Sequence, residues 1–377
     1  MSAAAIGGGA ELPVRPLLPG FFRVIPMGPD SIQLRSAGRV VRLVAPRLGE
    51  LGPPLLAALD GHTTLAELCR RVPLDEAVVE QLVRRLHAGG VLIDGDPDGG
   101  GDTDAVSAEF YEVVHGGGRA AAARAALAGA RVLVAGLGPV ARTAARNLAV
   151  SDIAALVLAD GGTVTAMDQA IVPGGRRDGG RPRPRVVAEE CIQAAEAAAP
   201  GTLPPVVAME GEAPIAEILQ RSAPLSLAVV QVDESGEQAE AANAACIAAG
   251  VSALFHHETT LEGVVGPTVV AGEPGCFTCL VHRRTSHLRY YDEHVVYQQG
   301  LRTGEVPAHQ PALLGAFATL VGGVVAAEAL ALLTGSPSVI SGGVLTADFK
   351  TLEVRRDTLV AVPGCPSCGS DVEMVLG

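Results

Sequence analysis

Arg131-Val132-Leu133-Val134-Ala135-Gly136-Leu137-Gly138-Pro139, followed by a helical Val140 to Val150 and a second apolar run from Ala154 to Ala159 that closes on Asp160, decides the fold of this chain. An apolar β-prone run, a tight glycine turn, a helix and a second buried run ending in a carboxylate make the opening βαβ unit of a doubly wound, nucleotide-binding α/β domain. Glycines let a phosphate approach the main chain at the helix N-terminus, and the carboxylate after the second strand can accept bonds from ribose hydroxyls. Gly136, Gly138 and Asp160 are therefore candidate nucleotide contacts. The turn is incomplete, because Pro139 and Ala141 stand where further glycines are preferred. An ordinary βαβ unit with no ligand would show the same order of parts.

Downstream, the unit continues as Asp160-Gly161-Gly162-Thr163-Val164-Thr165-Ala166-Met167-Asp168-Gln169-Ala170-Ile171-Val172. A loop rich in glycine and arginine, Pro173 to Pro184, leads to Arg185-Val186-Val187-Ala188-Glu189, and a β-rich run, Leu225 to Val232, ends at Asp233. Arg185 could be a plain surface charge, and Asp233 could merely cap the helix that follows. The strongest chemical signal is Cys276-Phe277-Thr278-Cys279 with Cys365-Pro366-Ser367-Cys368. Two C-x-x-C pairs bring four soft thiolates within tetrahedral reach of one metal and leave no open position, which points to structural zinc. Cys69, Cys191 and Cys246 fall on helical stretches and read as small apolar packing groups. Nothing supplies a catalytic thiol or another catalytic residue; His282, His287, His294 and His309 are irregularly spaced and read as surface or internally bonded.

The N-terminal part has another texture. Phe21 to Ile25, Ser31 to Leu34 and Val40 to Val44, separated by Met27-Gly28-Pro29-Asp30 and Ser36-Ala37-Gly38, predict three short strands. Three helices should follow: Leu51 to Leu59, one capped by Thr64, and one from Pro73 or Leu74 to Gly89-Gly90. This is a small winged-helix-like α+β module over residues 13–94. It carries ten arginines against eight acids, so it is slightly positive in a chain of net charge -13. Phosphate backbones would be repelled by Glu76 and Glu80 on its last helix, which argues against DNA. Gly95 to Asp104 has the composition of a flexible tether within a linker over 95–107. The second domain spans 108–377 and opens with an alanine-rich helix, Arg119 to Leu127.

The strand, glycine turn and Asp160 frame, with Val164 in register and the distant C-x-x-C pairs, resembles the ThiF/MoeB-like adenylyltransferases related to ubiquitin-activating enzymes. In that family the stretch after the glycine turn reads D-x-D-x-V-x-x-x-N-L-x-R-Q. Here Gly162, Asp168, Ile171 and Val172 replace the second aspartate, the asparagine, the arginine and the glutamine. Arg185 stands where the family has a phosphate-binding lysine, and Asp233 where an aspartate helps place magnesium and nucleotide. The resemblance thus implies only a remnant ATP and magnesium site at Gly136, Gly138, Asp160, Arg185 and Asp233, degenerate because its arginine is lost. It also implies a symmetric homodimer near a long helix ending Ala327 to Gly335.

Leu59-Asp60-Gly61-His62-Thr63-Thr64-Leu65-Ala66-Glu67-Leu68 is similar to the signature of PqqD-like RiPP recognition elements. Such modules bind the leader of a ribosomal precursor peptide as an added strand, against the last helix. That similarity puts Arg39, Arg42, Arg84 and Arg85 beside the groove and Val40, Val41, Leu43, Val79 and Leu82 on its floor or edge. Core packing is the alternative for each apolar residue and a solvated charge for each arginine.

Composition fits a folded chain: 377 residues, 48% hydrophobic, mean hydropathy +0.33. Its negative charge argues against general nucleic-acid affinity, and Met1 to Pro13 lacks the pattern of a signal peptide. Ala312 to Leu333 is almost continuously apolar, but Gly315, Gly322, Gly323 and Glu328 mark it as a buried or interface helix rather than a membrane span. The expectation is a cytoplasmic scaffold that presents a precursor peptide to a separate YcaO-type cyclodehydratase in azole-forming RiPP biosynthesis and is not catalytic alone. The alternatives are an active ThiF/MoeB-like adenylyltransferase acting on a peptide or protein C-terminal carboxylate with Asp160, Arg185 and Asp233, and a regulator that inherited both domains.

Overall fold

The computed structural model describes residues 12–37, 39–72, 75–95, 110, 111, 114, 120–166, 168, 178–201, 203–309, 311–338, 340 and 342–369. The contacts divide the chain into two units, Met1–Ala125 and Ala126–Gly377. Gly95 alone of the expected Gly95 to Asp104 tether, and neither Ile171 nor Val172, lies within the described residues.

In the first unit, β2 (Arg23–Gly28), β3 (Ser31–Arg35) and β4 (Val40–Val44) form an antiparallel sheet with β3 in the middle. β3 is central because Ile32 and Leu34 are fully buried, whereas Val40 and Val44 on the edge strand β4 are exposed. Helices α1 (Leu48–Ala57), α2 (Leu65–Arg71) and α3 (Glu76–Ala88) follow. Thr64 accepts a bond from the Glu67 N–H while Glu67 bonds back to the Thr64 N–H, a reciprocal cap that starts α2. Val79, Val83 and Leu86 project from one face of α3 into a core with Ile32, Leu34, Leu55, Leu56 and Leu68. A pair of two-residue strands, β1 (Pro16–Leu17) and β5 (Ile93–Asp94), was not legible in the sequence, since two residues show no periodicity.

The second unit is a sheet of order β13-β12-β11-β10-β9-β6-β7-β8. Its parallel half comprises β6 (Arg131–Ala135), β7 (Ala155–Asp160), β8 (Val206–Glu210), β9 (Leu227–Gln231) and β10 (Ser252–Glu258). The antiparallel half adds β11 (Glu262–Val269), β12 (Gly343–Asp348) and β13 (Val354–Thr358). The helices are α4 (Ala120–Gly129), α5 (Pro139–Ala149), α6 (Arg183–Ala198), α7 (Ile215–Ser222), α8 (Glu237–Ala249), α9 (Phe277–Thr285), α10 (Tyr291–Thr303) and α11 (Gly315–Thr334). From β6 the chain steps outward to β7 and β8, then returns to place β9 on the other side of β6. The strand order therefore reverses between β6 and β9, and a crevice opens at their carboxyl ends. This is the expected doubly wound α/β architecture with an N-terminal α+β module.

Helix α11 has the length and hydropathy of a membrane span, yet one face of it packs against α5 and β11. Its Glu328 is buried and accepts bonds from Thr268 and Ser338. Gly322 lets α11 cross α5 closely: a Cβ there would lie 2.6 Å from Thr143 Cβ and 2.7 Å from the Val140 carbonyl oxygen. The carbonyl cannot swing away as a side chain could. Gly322→Ala is expected to cost about 1–3 kcal/mol, read as a lower midpoint in chemical denaturation.

Candidate functional site

The crevice is built from the ends of β6, β7 and β9. After β6, Gly136 takes a left-handed φ of 80°, which glycine alone adopts without strain. Gly138 then ends the turn, with Pro139 opening α5 at the one helical position where a missing N–H costs nothing. Asp160, at the end of β7, accepts from the Leu137 N–H at 2.7 Å and the Gly162 N–H at 2.5 Å, tying both loops together.

A cation absent from the linear motif enters from α6. Arg183 places its guanidinium 3.7 Å from Asp160 Oδ2 and 3.2 Å from Asp168 Oδ2, with its side chain only 19% exposed. Gly162, which replaces the family's second aspartate, makes room for it: a Cβ there would lie 2.8 Å from Arg183 Nη1 and 2.9 Å from Asp160 Oδ1. Asp168, at the family's asparagine position, is buried and caps its own turn by accepting from the Thr165 N–H and Oγ1 at 2.8 and 2.9 Å. Arg142, buried on α5, pairs with Glu190 on α6, its Nε 2.6 Å from Oε2, and so holds the helix that carries Arg183. The expectation of a site stripped of its positive charge is corrected here. Aligning position 171 by sequence register could not see a charge delivered from residue 183 across the crevice.

Arg185 is not brought to the crevice. Its side chain is 61% exposed and pairs with Glu210 at 2.8 Å, because two residues along α6 turn it away from Arg183. Asp233 lies beyond β9, exposed, with Oδ2 accepting from Ser235 at 2.7 Å. It lines a cavity of about 480 Å³ together with Glu234, His257, Arg284, Tyr291 and His294. Glu234 ties α10 and the loop after it to this cavity by accepting from the Tyr297 hydroxyl and the His309 N–H. These two donors hold its carboxyl below the usual carboxylate range.

The four expected metal ligands converge. The Sγ atoms of Cys276, Cys279, Cys365 and Cys368 all lie within 4.8 Å of one another, with separations of 4.0, 3.7 and 3.6 Å between Cys276 and Cys279, Cys276 and Cys365, and Cys279 and Cys368. Tetrahedral zinc with Zn–S near 2.3 Å demands about 3.8 Å between sulfurs. The donor set therefore fits a metal such as zinc and would hold it closed to solvent ligands, joining α9 to the C-terminal segment. By contrast Cys191 and Cys246 are fully buried, and burial pushes their thiols up to about 12 and about 11. They pack as small apolar groups, as expected.

In the first unit, Val79 is fully buried among core residues and is not a groove floor. Arg39 donates to the carbonyls of Gly89 and Gly90, fastening the β3–β4 turn to the end of α3. Val41, Leu43 and Leu82 pack against the core, while Val40, Arg42, Arg84 and Arg85 are exposed.

The ThiF family model matches residues 118–367. Over 123 residues, 32% of this chain, the sequence is 30% identical to the sulfur carrier protein adenylyltransferase of Thermus thermophilus, spanning about a third (36%) of that protein's length. Among solved structures, E. coli MccB with ATP is similar over 94% of this chain and 99% of its own, at 15% identity and a TM-score of 0.66. The Microcin C7 biosynthetic enzyme MccB with N-formylated MccA covers 94% and 99% at 14% identity and a TM-score of 0.67. A heterocyclase solved with substrate and cofactor covers 94% of this chain and 39% of its own, at 17% identity and a TM-score of 0.60.

These similarities overturn the scaffold reading. The likeness to MccB covers 94% of this chain, the N-terminal module included, so that module does not by itself mark a PqqD-like fusion that only holds a leader. The expectation of a chain not catalytic alone, and the doubt over ATP, are corrected as well: MccB, whose fold this chain shares, has been solved with ATP and with AMPCPP. A separate YcaO-type cyclodehydratase was required only by that scaffold. Matched from residue 118 to residue 367, with its glycine turn, strand-end aspartates and paired C-x-x-C knuckles in place, the chain belongs to the ThiF family.

Proposed function

We propose that this chain is an ATP-dependent adenylyltransferase that activates the C-terminal carboxylate of a peptide or small protein. The observation that carries this reading is Arg183, a part-buried guanidinium set between Asp160 at the end of β7 and Asp168. Two similar proteins support the substrate class: the Thermus relative is a sulfur carrier protein adenylyltransferase, and MccB has been solved with ATP and, separately, with AMPCPP and MccA. In the reaction a carboxylate oxygen bonds to the α-phosphorus, the bond from that phosphorus to the bridging oxygen breaks, and pyrophosphate leaves. Little covalent work falls to the protein, whose part is to position charge. Arg183 would neutralise phosphate oxygens, Asp160 would take the ribose hydroxyls, and exposed Asp233 would hold magnesium at the mouth of the 480 Å³ cavity. Exposed Val40 and Arg42 on β4, with Arg84 and Arg85 on α3, are available to the body of the peptide.

The test is ATP–pyrophosphate exchange by the purified full chain with a peptide library bearing free or amidated C-termini. Exchange that needs a free carboxylate is expected. No exchange with any free-acid peptide or small carrier protein would sink the reading.

A further inference from the structure

Every main-chain donor of the glycine turn is already engaged. The Gly136 N–H donates to the Ala159 carbonyl at 2.9 Å, the Leu137 N–H to Asp160 at 2.7 Å and the Gly138 N–H to Gln231 Oε1 at 2.9 Å. Pro139 has no N–H to offer. A phosphate arriving at residues 136–139 therefore meets no free donor until one of these acceptors gives way. The Ala159 carbonyl belongs to the strand and cannot move independently, and Asp160 is held by a second bond, from Gly162. Gln231 is the one neutral side chain among them.

Gln231 is not placed there by chance contact. It ends β9, across the crevice from the turn, and its side chain lies directly against both glycines. A Cβ on Gly136 would sit 2.7 Å from Gln231 Cβ, and one on Gly138 2.6 Å from Gln231 Nε2. Its amide is also aimed. Nε2 donates to Glu258 Oε1 at 2.8 Å, which turns Oε1 toward Gly138. Glu258 is buried, and its other oxygen lies 3.2 Å from Nδ1 of His256, a fully buried residue in register with Gln231 on the neighbouring strand. His256 Nε2 is buried with no hydrogen-bond partner among the described residues, so within them the ring bonds through Nδ1 to Glu258. A row of buried polar groups on β10 that a hydrophobic core would not otherwise keep thus ends at the amide of Gln231.

We propose that Gln231, aimed by Glu258 and His256, occupies the anion seat of the glycine turn and thereby sets the chain's affinity for nucleotide. The inference rests on the adenylyltransferase reading, in which nucleotide phosphates enter this crevice. A phosphate oxygen would make a charge-assisted bond to the Gly138 N–H, stronger than the one Gln231 makes, but must first displace an amide tethered from behind. Binding is then weaker than the turn could provide, by about the worth of one neutral hydrogen bond.

The experiment is titration of the full chain with ATP, comparing wild type with Gln231→Ala and Gln231→Met. Methionine keeps the bulk while removing the acceptor; alanine removes both. Both variants are expected to bind ATP about three- to tenfold more tightly, with alanine tighter than methionine. A Kd that stays the same or rises in both variants overturns the inference while leaving ATP binding by wild type, and so the proposed function, standing. Absence of ATP binding in all three proteins overturns both. Should alanine prevent folding, methionine alone decides, because an unchanged Kd in that variant already refutes the seat.

Discussion

Arg183→Gln is expected to lower peptide-dependent pyrophosphate exchange by about 100- to 1000-fold, the cost of removing a single donor aimed at developing charge in a sheltered site. Glutamine keeps hydrogen-bonding ability but removes the positive charge, so the loss should appear mainly in kcat. The same change strips Asp168, only 2% exposed, of its counter-charge. Leaving a buried carboxylate unpaired costs about 3 kcal/mol, so the melting temperature should fall as well. The two effects separate in the double variant Arg183→Gln with Asp168→Asn, which should regain most of the stability and none of the activity. Activity that returns together with stability would show that Arg183 only braces the loop.

Cys365→Ser should have the largest effect on the fold. Wild type is expected to carry one tightly held zinc per chain by metal analysis, and the variant none. In small zinc domains metal binding is itself most of the folding free energy, on the order of 10 kcal/mol. The second unit of this protein has a large core besides, so only part of that is at stake. A melting point lower by about 10 °C or more is still expected, since each kcal/mol shifts a domain of this size by about 2–4 °C. The reason is topological. The four thiolates join α9 to the stretch after β13, 89 residues apart, and the stretch is otherwise held by the Leu359 N–H bond to the Gly342 carbonyl, the Arg283 bonds to the Val360 and Ala361 carbonyls, the Val362 N–H to Cys279, Ser367 to Thr278, and the packing of Leu359, Ala361 and Val362 against the core. Full stability in a metal-free variant would assign the cysteines a role other than bracing.

The sequence by itself determined the architecture and the metal site. Strand, glycine turn, helix and strand-end aspartate are dictated by local periodicity and by the conformations only glycine adopts. Four cysteines in two spaced pairs announce a tetrahedral site whatever lies between them. What the tertiary structure alone decided is which charges meet in the crevice. Arg183 and Arg185 are two residues apart in one helix and equivalent in composition, yet helical rotation sends one to Asp160 and the other to Glu210 on the surface. Gln231, Glu258 and His256 likewise carry no sequence signal, being separated by up to 27 residues and meeting only because β9 and β10 are paired in register. Side-chain types and spacings are local, whereas the electrostatics of a crevice between strands are set by packing, and in this chain packing brings to Asp160 a guanidinium that the linear motif did not show.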